Sequence, residues 1–138
     1  MAPTFRHGKG AYFALTSSTG GTINASSGVD DSSLERAVET AEVTTYGDDD
    51  KVYLSGLRDA TIPFSGHFAS TYAKKFDPML GHSTGTTFTW GPEGNSTGRR
   101  KYTGKAIITE LSYEVPVDDK VSMSGSLQVS GPITSTNF

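Results

Sequence analysis

Residues 121–129 alternate between apolar and polar side chains more strictly than any other part of the chain. A period of two places successive side chains on opposite faces of a strand. The pattern therefore predicts a β-strand with one buried row and one solvent-facing row. Gly125 stands in the apolar row, where it indicates a close approach by another backbone. The apolar row is Val121, Met123, Leu127 and Val129, and the polar row is Ser122, Ser124, Ser126 and Gln128.

Shorter alternations predict further strands, and the 16 glycines favour many turns between them. Ala106 and Ile108 share one parity, whereas the apolar residues at 111, 113 and 115 share the other, so we expect a β-bulge near Thr109–Glu110. Pro63 removes a backbone donor and predicts an edge-like strand at that point. Residues 33–38 fit either a turn or a short strand. The other predicted strands lie around residues 11–15, 42–46, 62–68 and 86–90.

A single helix is predicted, at about residues 70–80. Apolar residues at 72, 76, 79 and 80 fall on one helical face, and Ser70 or Thr71 is placed to cap its start. Pro78 predicts an end near Asp77, because proline breaks the hydrogen-bond ladder. The fold class is therefore mostly β, with one flanking helix. The expected core is Phe13, Phe64, Phe68, Phe88, Leu111, Tyr113, Met123 and Leu127, with Tyr72 and Phe76 of the helix covering one side.

The length of 138 residues fits one domain, 1–138. There are no cysteines, so disulfides and thiolate metal sites are excluded. No membrane-spanning or secretory segment is expected. The net charge of −3 argues against a general nucleic-acid binder. Acidic residues nevertheless concentrate at 30–50 and basic residues at 99–105, which fits either two solvated surfaces or complementary faces that meet between copies of the chain.

No pattern of catalytic residues or cofactor ligands stands out. His7, His67 and His82 match no metal or triad spacing, and the glycine-rich stretches lack the phosphate-loop pattern. The run Asp48 to Asp50 lacks the spread of ligands that calcium requires, so an acidic solvated turn is expected there. We therefore predict no cofactor, no metal site and no enzymatic activity.

The segment 46–59 is unusually apolar for a connection between two extended segments. A contact surface is the natural use for exposed apolar side chains. We expect this loop to contact another copy of the chain, and the basic residues Arg99, Arg100 and Lys101 to complement its acidic tip. The predicted contact residues are Tyr46, Gly47, Asp48, Asp49, Asp50, Lys51, Val52, Tyr53, Leu54, Leu57, Arg58 and Asp59.

Three blocks of the sequence resemble the major tail tube proteins of long-tailed bacteriophages. They are FRHGKGAYFAL near the start, EVTTYGDDDKVYLSGLRDATIPFSGHF in the middle and YTGKAIITELSYEVPVDDKVSMSGSLQVSGPI near the end. Together they cover roughly half of the chain in the expected order. The stretch TINASSGVDDSSLERAV departs from the family's second strand and turn.

The resemblance implies a β-sandwich or small barrel with one helix outside, a fold also used by the tube protein of type VI secretion. It implies hexameric rings that stack into a conduit for DNA, with the 46–59 loop reaching the adjacent ring. DNA would pass without specific binding. The expected partners are further copies, the tape measure protein, the tail terminator and baseplate or tail-tip proteins, with assembly in the host cytoplasm and no membrane.

Other functions are compatible with the same sequence. A tail terminator, or another ring-forming tail or neck protein, would form one ring and would not polymerise. A tube subunit of a secretion system would carry proteins in place of DNA. A ligand-binding β-domain and an enzyme are the remaining classes, and they are favoured by no motif.

Overall fold

The computed structural model describes residues 3, 5–17, 21–81 and 86–138. Within these residues, one helix, α1 (Ser70–Met79), and one short 3-10 turn, Gly8–Gly10, accompany the strands. The strands are β1 (Tyr12–Ser17), β2 (Gly21–Asn24), β3 (Val29–Ser32), β4 (Glu35–Glu42), β5 (Tyr53–His67), β6 (Thr86–Gly91), β7 (Arg100–Glu114), β8 (Ser122–Val129) and β9 (Thr134–Asn137). The predicted class, mostly β with one flanking helix, is confirmed.

All strand pairs are antiparallel, and the strands run in the order β2-β1-β6-β7-β8-β5-β3. Strand β4 also pairs with β5, and β9 pairs with the start of β7. The 15-residue strand β7 joins two halves of the sheet, because its first part pairs with β6 and its second part with β8. Phe13 of β1 and Phe64 of β5 have ring centroids 5.5 Å apart, so the two halves fold over one another.

The core lies between these halves and is closed by α1. Phe76 and Met79 of the helix are fully buried, and Phe76 stacks beside Phe64 at 5.8 Å. Tyr72 and Leu111 are partly buried and pack against the same cluster. The predicted core residues that are buried are Phe13, Phe64, Phe76, Phe88, Met123 and Leu127.

Two predicted core residues, Phe68 and Tyr113, are more than one third exposed. Their rings pack edge to face at 5.4 Å, and the Tyr113 hydroxyl donates to Asp77 at 2.7 Å. Phe68 follows the end of β5, so the alternation no longer directs it inward. Tyr113 lies near the end of β7, beyond the cover of the opposite half. The prediction was wrong for this pair, which forms a smaller contact at the sheet margin.

The expected bulge in β7 is confirmed by a register shift between Ile108 and Glu110. The close approach at Gly125 is also confirmed. A Cβ atom at this position would stand 2.7 Å from the Glu110 carbonyl oxygen and 2.8 Å from the Phe64 ring. The bulge and the glycine together let β7 pack closely beside β8 while Leu111 still contacts the core.

The helix differs from its prediction at both ends. Ala69 is the N-cap residue and makes no side-chain hydrogen bond, so neither Ser70 nor Thr71 acts as the cap. The helix also continues through Pro78 to Met79. Pro78 cannot donate a hydrogen bond to the carbonyl of residue 74, and the helix ends one residue later.

Pro63 lies inside the sheet, which corrects the expectation of an edge-like strand. Strand β5 has β8 on one side and β3 and β4 on the other. The missing donor is accommodated because the neighbour is interrupted at residues 33–34. There, the Ser33 amide donates to the Pro63 carbonyl at 3.1 Å. Residues 33–38, which the sequence left undecided, contain this interruption and the start of β4.

Candidate assembly interface

Strands β4 and β5 extend beyond the core as a two-stranded ribbon. Every residue of β4 and residues 53–59 of β5 are exposed, on both faces of the pair. Ala60 is the first buried residue of β5, and from there to Gly66 every second residue is buried. We call residues 35–42 and 53–59 the ribbon, and residues 43–52 its tip.

The tip is an ordered turn. The Val43 amide donates to the Val52 carbonyl at 2.8 Å, and the Val52 amide donates to the Thr44 hydroxyl at 3.0 Å. Asp48 Oδ2 accepts from the Thr45 amide at 2.8 Å and lies 3.2 Å from the Thr45 hydroxyl. Asp48 is therefore a turn-forming residue, whereas Asp49 and Asp50 extend the acidic surface.

The predicted contact loop 46–59 is thus part turn and part strand. Tyr46 to Val52 lie in the tip, but Tyr53 to Asp59 are strand residues, which corrects the expectation of a loop throughout. Residues 53–59 show no apolar–polar alternation because both faces of this strand are exposed to solvent. A register shift between Val38 and Thr40 also interrupts the pairing with β4. The exposure of its apolar residues is as expected, with Tyr46 fully exposed and Leu57 82% exposed.

The half of the sheet that carries the ribbon has two open edges. Strand β4 pairs only with β5, and residues 109–114 of β7 pair only with β8, within the residues that the structure describes. Unpaired strand edges are templates for pairing with another chain. Strands β4, β5, β8 and β7 therefore form a four-stranded unit that can be extended on either side.

The face of this unit that points away from the core is polar and acidic. Ser124 in the polar row of β8 pairs with Ser65 of β5 and with Ser112 of β7, and Gln128 in the same row pairs with Thr61. Its acidic residues are Asp31, Glu35, Asp59, Glu110 and Glu114, and no Lys or Arg lies in the paired registers of this face. The polar row Ser122, Ser124 and Ser126 predicted a solvent-facing side for this strand, whereas the acidic residues that share the face come from other strands and were not grouped with it.

The basic stretch opens β7, at the far end of that strand from the β7–β8 turn. Arg99 Nη1 donates to the Glu93 carbonyl at 2.7 Å. The Arg100 guanidinium lies over the Tyr102 ring and the Lys101 ammonium over the Phe138 ring, at 5.8 and 5.4 Å. All three cations thus have local contacts and are not brought next to the tip within one chain.

The described residues offer no group of three or more His, Cys, Asp or Glu side chains that could hold a metal. His7 is exposed, and His67 Nε2 lies 3.9 Å from Asp30 with both side chains about half exposed. His82 lies outside the described residues. Burial, followed by the hydrogen bond to Asp77 and its charge, raises the pKa of Tyr113 to about 12. None of the described helices has the length and apolarity needed to cross a membrane.

Open sheet edges, a projecting ribbon and a polar face are the features of a structural subunit that assembles with copies of itself. The sequence model of the phage tail tube protein family matches residues 8–135 of the chain. The chain belongs to this family and is a structural subunit of a tail tube. No curated protein matches it in sequence.

Solved tail structures share the fold. One, from the tail of an empty GTA particle computed with C6 symmetry, has a TM-score of 0.75 at 20% identity and covers 96% of this chain and 99% of its own. The SPP1 tail tube has a TM-score of 0.72 at 13% identity over 96% and 79%. A chain of the anti-feeding prophage baseplate has 0.71 at 10% identity over 99% and 97%.

Proposed function

We propose that six copies of this chain form a ring, and that rings stack into a tube through which DNA passes. The observation that carries the proposal is the four-stranded unit with two open edges. Joining the β7 edge of one copy to the β4 edge of the next removes both edges. The sixfold number is supported by the C6 symmetry of the similar GTA tail.

The dimensions are consistent with a conduit. Four strands from each of six copies give 24 strands, and at about 4.8 Å per strand the barrel is roughly 37 Å across before strand tilt widens it. That width leaves room for a DNA duplex once side chains are added. Backbone hydrogen bonds hold the barrel together, and they do not depend on which side chains the strands carry. The side chains that face the channel can therefore be those that suit DNA passage.

The polar face of the four-stranded unit would line this channel. Asp31, Glu35, Asp59, Glu110 and Glu114 give it negative charge without Lys or Arg in the paired registers. Basic side chains bind phosphates in any sequence, and an acidic wall repels them. DNA would therefore slide along the wall without specific binding.

The ribbon and its tip would reach the adjacent ring. A two-stranded ribbon with both faces in water is marginally stable by itself, and burial of Val52, Tyr53, Leu54 and Leu57 against a neighbour would stabilise it. Asp49 and Asp50 of the tip would approach Arg99, Arg100 and Lys101 of a neighbouring copy. Such charge pairs steer association and make it sensitive to salt.

The role is structural and not catalytic, and no cofactor is needed. In the virion, the two ends of the tube require other proteins, so we propose contacts with a tail terminator and with baseplate or tail-tip proteins. A tape measure protein would occupy the channel during assembly. Assembly would take place in the host cytoplasm.

Negative-stain electron microscopy of the purified chain tests this proposal. Long tubes with sixfold end views are the expected result. Isolated rings that do not stack would favour a terminator-like protein. A protein that stays monomeric at all concentrations, in a preparation that folds, would contradict the proposal.

A further inference from the structure

A groove of about 780 Å³ runs along the root of the ribbon, at the end of the sheet where β8 leads into β9. One wall is the ribbon, with Val38 about half exposed and Leu57 82% exposed. The other wall is the segment 131–133, which includes Pro132 and Ile133. Nothing among the described residues fills this partly apolar groove.

Two arginines give the groove a positive charge. Arg36 pairs with Ala60 and Val38 pairs with Arg58, so the side chains of both arginines share the face of the ribbon that continues into the core. Neither guanidinium forms an ion pair with any described residue. Asp59 also lines the groove, but its Oδ1 accepts from Gln128 Nε2 at 2.6 Å.

The β7–β8 turn has the complementary chemistry. Val115 is 74% exposed and Val117 is fully exposed, on either side of Pro116, and Asp118 and Asp119 follow directly. Two exposed valines have no use in a solvated turn, and a short apolar segment followed by two carboxylates matches a groove with apolar walls and two arginines.

The turn and the groove lie at opposite ends of the same sheet. The turn lies beside the His67–Ser122 pair, whereas the groove begins beyond the Thr61–Gln128 pair. Six residues of strand separate the two pairs, which is roughly 20 Å. One chain therefore cannot dock its own turn into its own groove. A head-to-tail contact between two copies can, and repeated contacts of this type build a filament.

We propose that the turn 115–119 of one subunit docks into the groove at the ribbon root of a subunit in the adjacent ring. This contact rests on the proposed stacking of rings and adds a second stacking surface to the ribbon tip. The tip of one subunit extends to the end of the neighbouring ring that carries the turns. A turn on that end therefore meets the root of the ribbon to which the tip belongs. The occupant of the groove is thus a second copy of this chain.

Charge reversal on each side tests the contact. Asp118→Arg with Asp119→Arg, and separately Arg36→Asp with Arg58→Asp, should each raise the concentration needed for tube formation by at least about tenfold, because like charges then face each other. All four substitutions together should restore much of the loss. Thermal melts should show that each variant is folded. If both one-sided variants form tubes like the unsubstituted chain, or if the fourfold variant assembles no better than they do, the contact is overturned.

Cysteine cross-linking gives a second measurement, since the chain has no cysteine of its own. A variant with Val117→Cys and Leu57→Cys should give a ladder of covalent multimers on mild oxidation, because each copy links to two neighbours. Val117→Cys with Thr136→Cys is the control and should give dimers at most. A ladder no longer than that of the control overturns the contact. Stacking by the ribbon is tested separately, by shortening the ribbon. If the shortened chain forms no tubes, the proposed stacking by the ribbon is kept even when the cross-link fails.

Discussion

The two halves of strand β5 share one continuous backbone but have opposite surroundings. From Ala60 to Gly66 every second side chain is buried, and Ile62 and Phe64 belong to the core. From Tyr53 to Asp59 every residue is exposed. The first seven residues nevertheless include three large apolar side chains, Tyr53, Leu54 and Leu57. The folded monomer buries one half only, and the exposed half is what assembly is expected to bury.

The difference separates two kinds of constraint on one strand. Substitutions in the buried half should change the free energy of unfolding of the monomer. Substitutions in the exposed half should leave that free energy nearly unchanged and alter assembly. Each of the following experiments tests whether stability and assembly depend on separate halves of the strand.

Phe64→Ala should have the largest effect on stability. Phe64 is 4% exposed and contacts the rings of Phe13 and Phe76. Its truncation should cost about 3–5 kcal/mol of unfolding free energy, through lost burial and a residual cavity. Chemical denaturation measures the loss. A loss under about 1 kcal/mol would mean that the core is not organised around this residue.

Gly125→Ala should have the next largest effect. The added methyl group would meet the Glu110 carbonyl oxygen at 2.7 Å, and a backbone atom in a bulge cannot move away cheaply. We expect a loss of about 1–3 kcal/mol in unfolding free energy, typical of overpacking. Gly47→Ala in the tip is the matched control, because a Cβ atom there meets nothing within 4 Å.

Tyr113→Phe should have a smaller, pH-dependent effect. The pKa of Tyr113 is raised from 10.0 to about 12 in the folded protein, so folding favours the neutral phenol. This contribution is complete below pH 10 and is lost as the pH rises towards 12. The phenylalanine variant should lose less stability than the unsubstituted chain across that range. Urea melts measure the unfolding free energy of both proteins at the two ends of this pH range. If both proteins lose the same amount of unfolding free energy, the assignment is wrong.

Leu57→Ser should have the smallest effect on the monomer. Its side chain is 82% exposed, so the unfolding free energy should change by less than about 0.5 kcal/mol. Tube formation should nevertheless require a higher protein concentration, as measured by sedimentation. Thr136→Ser on the exposed strand β9 is a control that should change neither quantity. A marked destabilisation of the monomer would show that the ribbon belongs to the core.

The sequence predicted those parts of the fold in which burial leaves a periodic pattern. The strand at 121–129, the bulge at residues 109–110 and the helix near 70–80 all follow from apolar spacing. Where burial does not alternate, prediction failed. Residues 53–59 of the ribbon were expected to form a loop because their sequence shows no apolar–polar alternation. The alternation is missing because both faces of the strand are exposed to solvent and its pairing shifts register.

Other errors arose because one residue's chemistry was interpreted without its neighbours. Pro63 predicted an edge, but an interruption between β3 and β4 accommodates it within the sheet. Phe68 and Tyr113 were assigned to the core from parity alone, although they lie where the opposite half of the sheet no longer covers β5 and β7. The apolar content of residues 46–59 did mark an exposed surface. The groove and the acidic face depend on pairing between distant strands, which spacing does not show.

The central claim is that the ribbon and its tip serve assembly and not folding, and removing the tip tests it most directly. Ala41 and Leu54 are directly paired, so residues 42–53 can be replaced by a two-residue Asn-Gly turn. Asn95→Gly, in another exposed loop, is the control. We predict that the shortened chain melts within a few degrees of the unsubstituted one and forms no tubes by electron microscopy. The control should melt at the same temperature as the unsubstituted chain and should form tubes. Tubes of ordinary length from the shortened chain would contradict the account.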